Sequence, residues 1–326
     1  MTRVIPRHAT ATFFALPLLI LPLFPPPPSP APVLAPIQTY KIVSYFPVNS
    51  RAMWSPWDPN RINADFARLA TLHVSAVRIF LQPSEFGYPN PTTDMMGELS
   101  QVVQMAAQKG MRTYFNLFDG FQQFGDVYGS KTWAKAVVSS YAGSSHAAAF
   151  EVFNEITPSN LGAVNWARQM IPYVQSIARG TPVGISVNEG WKLKNLKGQL
   201  HAQQPDFYSF HYYTSLYNAQ TRAATDIAGD AANAAPKPLI VGETGYQTWN
   251  GVFGIGSGSG REQESDQASY ISSVEQATLK VGVGTAGIYT QNDFTSLAAH
   301  DPERYFGLYR SDGTPKPAVQ VLSTYF

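Results

Sequence analysis

Residues 147–187 read AAAFEVFNEITPSNLGAVNWARQMIPYVQSIARGTPVGISV. The stretches 147–153 (AAAFEVF) and 182–187 (PVGISV) are short, near-continuous apolar runs, the pattern of strands buried on both faces of a parallel sheet. Between them Leu161, Val164, Ala167, Met170, Val174 and Ile177 recur three or four residues apart, which makes one apolar helix face. Ser159 stands where the helix N-cap belongs, and Gly180 just past the helix end. The stretch is a strand–helix–strand unit.

The same alternation extends in both directions. Further candidate strands are 41–46, 76–81, 111–117, 206–212, 238–243 and 285–289. Helix faces recur at Ile62, Phe66 and Leu69, at Leu99, Val102, Val103 and Ala106, and at Ile271, Val274 and Leu279, with Asp94 as an N-cap and Gly110 past a helix end. Segments 130–142, 195–204 and 221–235 carry weaker helical patterns. Eight such units predict an α/β fold, a single-domain (β/α)8 TIM barrel, since a doubly wound sheet usually has fewer strands or a second domain. Function then sits where each strand gives way to its loop, at the C-terminal rim.

Ahead of the barrel, Arg3, Arg7 and His8 precede an apolar run from Phe13 to Phe24, followed by PPPPSPAPVLAP at 25–36. That order is the order of a secretory signal peptide. The run falls short of the roughly 20 residues that span a bilayer, and Pro17 and Pro22 disfavour a stable helix. Residues 1–36 are therefore expected to be signal peptide and polyproline spacer, and 37–326 the barrel. The expected product is a secreted monomer, extracellular or periplasmic, with no membrane partner after signal removal.

Composition narrows the partners. Among 326 residues, 23 Lys plus Arg face 22 Asp plus Glu, a formal net charge of +1, so no broad field attracts nucleic acid or anionic lipid. The chain has no cysteine, which excludes disulfides, thiolate metal sites and cysteine nucleophiles. Its six histidines form no H-E-x-x-H motif or close pair, and no G-x-S-x-G elbow occurs. The loop GVFGIGSGSG at 251–260 misses the G-x-G-x-x-G spacing. Neither a metal nor a cofactor is expected.

At the strand ends the residue types change. The fourth strand ends Phe150-Glu151-Val152-Phe153-Asn154-Glu155, the sixth Phe210-His211-Tyr212-Tyr213 and the seventh Ile240-Val241-Gly242-Glu243. A charge placed directly after an apolar run is costly to bury unless it has partners or a task. Two carboxylates on one rim suit retaining glycoside hydrolysis, in which one is the acid and the other a nucleophile about 5–5.5 Å away.

On these residues the chain resembles clan A glycoside hydrolases, most closely family 5, the cellulase and mannanase family. FEVFNEI resembles the family's Asn-Glu motif, which implies Glu155 as acid/base and Asn154 as partner of the substrate 2-hydroxyl. VGETG resembles the nucleophile strand and implies Glu243. His211 and Tyr213 match the His-x-Tyr whose tyrosine supports the nucleophile, and Arg78 matches an arginine near the same carboxylate. The segments QASYISSVEQATLKVGVGTAGIY and GLYRSDGTPKPA resemble the family's last helix and terminal segment. Three positions depart from the pattern. Ile156 replaces a proline, Asn116 and Asp119 stand where a histidine is common, and Tyr289-Thr290-Gln291 lacks the usual tryptophan. The resemblance implies a β-glucan or mannan cleaved internally.

Other polar residues read differently. Glu151 shares parity with Glu155 and is expected to be a structural acid paired with Arg78 or another base. Glu189 is expected to be a solvated loop acid. Trp249 and Phe253 flank the glycine-rich loop and are candidate sugar platforms, while Tyr45, Trp54 and Trp57 fit packing or stacking equally. An acid/base role for Glu155 predicts a pKa above that of Glu243. The rival class is a non-catalytic carbohydrate-binding barrel; other specificities (xylan, galactan), exo action and transglycosylation use the same residues.

Overall fold

Seven parallel strands pair in sequence order: β1 (Ile42–Ser44), β2 (Ala76–Phe80), β3 (Arg112–Asn116), β4 (Ala147–Glu151), β5 (Val183–Val187), β6 (Phe207–Tyr212) and β7 (Leu239–Thr244). The computed structural model describes residues 35–50, 53–250 and 261–326. The expected signal peptide and most of the spacer, and the loop 251–260 with Phe253, lie outside the described residues.

The expected eighth strand is reduced to a bridge. Ile288 pairs with both Val43 and Thr244, so it closes the ring between β1 and β7. Gly287 N donates to Val241 O at 2.8 Å and Ile288 N to Ile42 O at 3.0 Å, which ties the two edges together. A longer strand is prevented locally because Ala286 N is already held by the Glu275 carboxylate at 3.0 Å. Gly287 is required here, since a Cβ would lie 2.2 Å from Gly242 O. The architecture is a (β/α)8 barrel with a minimal last strand.

Around the ring run α1 (Pro59–Thr71), α2 (Pro83–Phe86), α3 (Thr93–Gln108), α4 (Val127–Tyr141), α5 (Leu161–Ile177), α6 (Leu193–Leu200), α7 (Leu216–Ala234), α8 (Arg261–Val281) and α9 (Pro317–Leu322). The weakly patterned segments are thus helical. Two caps lie near, not at, the expected residues: Thr92 accepts from Met95 N and caps α3, with Asp94 in its first turn, and Asn160 accepts from Ala163 N and caps α5. Each of these starts offers adjacent side chains able to cap, and residue type alone does not choose between them. The α5 face buries Val164, Ala167, Met170 and Val174 against the sheet, whereas Leu161, at its first position, is exposed. Among the described residues no helix is long and apolar enough to cross a membrane.

Candidate active site

Side chains on alternate strand positions point into the barrel, and here the upper interior is polar. Arg78 from β2, Tyr114 and Asn116 from β3, Glu151 from β4 and Ser186 from β5 are all fully buried. Burying a guanidinium and a carboxylate costs several kcal/mol each unless both are paired and hydrogen-bonded. Arg78 donates to Glu151 at 3.0 and 3.3 Å, to Asn154 Oδ1 at 2.8 Å and to Glu243 Oε1. Glu151 also accepts from Tyr114, from Asn116 at 3.1 Å and from Ser186 at 2.6 Å. Burial would raise the Glu151 carboxyl, but Arg78 and these donors hold it below the usual range. Glu151 is a structural acid, as expected.

On this base stand the two rim carboxylates. Glu243 lies in β7 opposite His211 of β6, at an irregularity in the pairing after Phe210. Such an irregularity re-aims side chains, and it brings His211 Nδ1 to 3.5 Å from Glu243 Oε2 and 2.6 Å from Glu155 Oε1. Tyr213 Oη donates to Glu243 Oε2 at 3.1 Å. Glu243 is therefore held by donors on both oxygens, with its side chain 8% exposed, while that of Glu155 is 39% exposed at the mouth.

Glu155 follows β4 with φ of +57°, a left-handed conformation that a non-glycine residue adopts only when its surroundings impose it. The constraint is visible. Its N–H donates to Ser186 Oγ at 2.9 Å, and that hydroxyl donates to Glu151 at 2.6 Å. One serine thus ties the exposed glutamate to the buried one.

The elevated pKa expected of an acid is not present at Glu155. Burial raises it, but the His211 hydrogen bond and the His211, Arg78 and Lys192 charges outweigh burial and hold it below the ordinary value. Oxygens of Glu155 and Glu243 and a nitrogen of His211 lie within 4.8 Å of one another. Three such donors resemble a cation site, yet Glu243 already receives Arg78 and Tyr213, so the constellation reads as a carboxylate pair served by hydrogen-bond donors.

A cavity of about 720 Å³ opens over the pair, lined by Phe46, Phe80, Tyr289 and Phe306 and by Gln82, Asp119, Asn154, Glu155, Tyr213, Glu243, Asp301, Pro302 and Glu303. A second, of about 510 Å³, lies over the β5–β6 sector and shares Tyr213; it includes His211, Glu189, Trp191 and Asp226. The structure thus brings Arg78, Asn154, Glu155, His211, Tyr213 and Glu243 together. Trp249 is half-buried and lines neither cavity, its backbone N–H donating to Gln247 Oε1 at 2.6 Å. Tyr45 and Trp54 are core residues, bonded to Asp65 at 3.0 Å and to Phe80 O at 2.8 Å. Glu189 pairs with Lys192 at 2.7 Å, half exposed at the second cavity.

Sequence reasoning missed Ser186, Gln82 and the aromatic wall. Tyr289 takes a cavity position where the absent tryptophan had been noted. Ser186 carried one signal, a hydroxyl inside the apolar run Val183–Val187 at inward parity.

A parallel barrel with paired carboxylates under a sugar-sized cavity defines a glycosidase. Residues 42–282 match the cellulase family, glycosyl hydrolase family 5. The chain belongs to that family. No curated protein matches it. Among solved structures it is similar to a family 5 subfamily 18 protein from Streptomyces cattleya in complex with GlcNAc, at 18% identity and a TM-score of 0.72, covering 88% of this chain and 80% of that one. An exo-β-1,4-mannosidase from Opitutaceae bacterium strain TAV5 matches at 15% identity and a TM-score of 0.71, covering 90% and 61%. A family 17 β-1,3-glucanosyltransferase from Rhizomucor miehei matches at 16% and 0.63, covering 88% and 98%.

Proposed function

We propose that the chain is a retaining β-glycosidase that cleaves a neutral β-linked glucan or mannan by double displacement. The carrying observation is the carboxylate pair, whose oxygens approach within 4.8 Å. That separation belongs with the roughly 5–5.5 Å of retaining enzymes, whereas inverting enzymes leave about 6.5–9.5 Å for a water.

Glu243, ionised and oriented by Arg78 and Tyr213, attacks the anomeric carbon while the bond to the leaving oxygen breaks and Glu155 delivers its proton there. Water then gives a proton back to Glu155 and its oxygen to the anomeric carbon as the bond to Glu243 breaks. In the free protein the His211 contact at 2.6 Å favours ionised Glu155; a substrate covering the exposed carboxyl removes water from it, which favours the protonated form that the first step needs.

The cavity lining supports a neutral sugar, for among the described residues it carries Asp119, Glu155, Glu243, Asp301 and Glu303 and neither Lys nor Arg. A uronic acid would meet like charge. Cavities on both sectors of the rim suit a glycan bound across the scissile bond and cleaved internally, with Trp191 exposed on the leaving-group side. Exo action on a β-mannoside is the second reading, favoured by the wall that Asp301, Pro302, Glu303 and Phe306 build and by the names of the mannosidase neighbour and of a subfamily 18 structure bound to Manβ1-4GlcNAc. The basic-then-apolar order of residues 3–24 supports export through a cleaved signal. Product analysis over glucans, mannans, xylan and galactan tests the reading. Oligosaccharide ladders support internal cleavage, release of monosaccharide alone supports the exo reading, and saturable binding without products defeats hydrolysis altogether.

A further inference from the structure

Gln82 and Asp119 take no part in the chemistry above, yet both line the cavity beside Glu243. They arrive from neighbouring strands, Gln82 after β2 and Asp119 after β3. Asp119 Oδ2 accepts from Gln82 Nε2 at 2.8 Å and Oδ1 from Asn154 Nδ2 at 3.3 Å; Asn154 Oδ1 in turn accepts from Arg78 at 2.8 Å.

This chain fixes both amide orientations. A guanidinium only donates and an ionised carboxylate only accepts, so the nitrogens of Asn154 and Gln82 must face Asp119. Gln82 Oε1 is thereby turned away, and it is buried with no donor within hydrogen-bond distance among the described residues. The Asp119 carboxylate has about four acceptor positions and uses two of them here. Burial raises Asp119 above the ordinary aspartate value even though Gln82, Arg78 and Asn154 oppose the rise. Gln82 and Asn154 each use one of their two amide N–H donors on Asp119, which leaves this corner of the cavity with more open acceptor positions than donors.

The open positions on the Asp119 carboxylate lie at the cavity lining, where a ligand that donates hydrogen bonds can fill them. Sugar hydroxyls donate; carboxylates, esters and ethers do not. We propose that Asp119, held in place by Gln82 and Asn154, forms the hydroxyl-reading corner of the glycone subsite and accepts from neighbouring hydroxyls of a neutral hexose. The corner selects sugars whose hydroxyls at those positions are free and rejects those deoxygenated, acylated or oxidised there. The inference rests on the glycosidase reading and adds the residues that set its sugar specificity, at a place where Asp119 departs from the histidine expected by resemblance.

The test is a set of monodeoxy aryl glycosides built on the sugar unit that the product survey shows to be released, assayed with wild type, Asp119→Ala and Gln82→Ala. Asp119→Ala is expected to lower kcat/KM on the parent glycoside by about tenfold to a hundredfold and to become indifferent to one deoxygenation that wild type does not tolerate. Gln82→Ala, which releases one side of the Asp119 carboxylate, should lose about tenfold and weaken the same coupling. Unchanged kcat/KM, or variants as sensitive as wild type to every deoxygenation, overturns the proposal, because a purely structural role lowers all substrates alike. If wild type releases no sugar from any substrate, the glycosidase reading falls and this proposal with it; turnover without coupling removes this proposal alone.

Discussion

Tyr213 and His211 show how little separates a supporting residue from a structural one. Each makes one short contact to a carboxylate, and each contact has a distinct kinetic signature. Tyr213→Phe removes one charge-assisted bond to Glu243, worth about 1.5–3 kcal/mol if it tightens in the transition state, so turnover should fall about tenfold to a hundredfold with folding little changed. Full activity in that variant would separate Tyr213 from the nucleophile. His211→Ala acts through protonation. The His211 bond favours ionised Glu155, so its loss leaves burial to raise the carboxyl, and the protonated acid persists to higher pH. The alkaline limb of kcat/KM should therefore move upward on the residual activity; a limb that moves downward or stays put contradicts the assignment. These residues were legible because a strand-end His-x-Tyr carries its geometry in its parity. Ser186 and Gln82 were not, because a single serine or glutamine gives no sign of its partner until the strands are placed beside one another, and Asp119 showed only as a departure from the histidine common there.

At the scale of elements, the alternation of apolar runs and helical faces was readable along most of the ring, and the last strand was where it misled. TAGIY at 285–289 has strand composition, but small residues let the chain pass close to β7 and leave Ile288 alone to bridge both edges. Glu275 of α8 explains part of this. It is fully buried, its carboxylate holds Ala286 N at 3.0 Å, and burial, partly opposed by that bond, pushes it up to about 8. The folded chain thus binds a proton at Glu275 that the unfolded chain, near the ordinary value of 4.5, releases. Between those values the native state holds more protons, so stability falls as pH rises through the window from about 5 to about 8. Glu275→Gln cannot titrate. Its unfolding free energy relative to wild type should improve across that window by an amount on the order of a few kcal/mol, read by denaturant titration at each pH. A constant difference between the two proteins would mean that Glu275 is not the titrating group.

For the molecule as a whole, the barrel sorts its polar residues by height. Arg78, Glu151 and Tyr114 form a buried base, Glu243 rests on it, and Glu155 stands highest and wettest. A nucleophile must be dehydrated and oriented, whereas an acid/base must meet both a leaving group and water, so the gradient matches the division of labour. Near-neutral charge and absent cysteine, both plain in composition, agree with a neutral glycan as ligand; cleft length was hidden, because it depends on loops whose residue types do not fix their path. The most direct test of the central claim is covalent trapping with 2-deoxy-2-fluoro glycosyl fluorides of gluco and manno configuration, followed by peptide mass mapping. One sugar per chain, attached to Glu243 and released as hydrolysis resumes, is the expected result. Hydrolysis that continues with no label, or a label on any other residue, would contradict double displacement at Glu243.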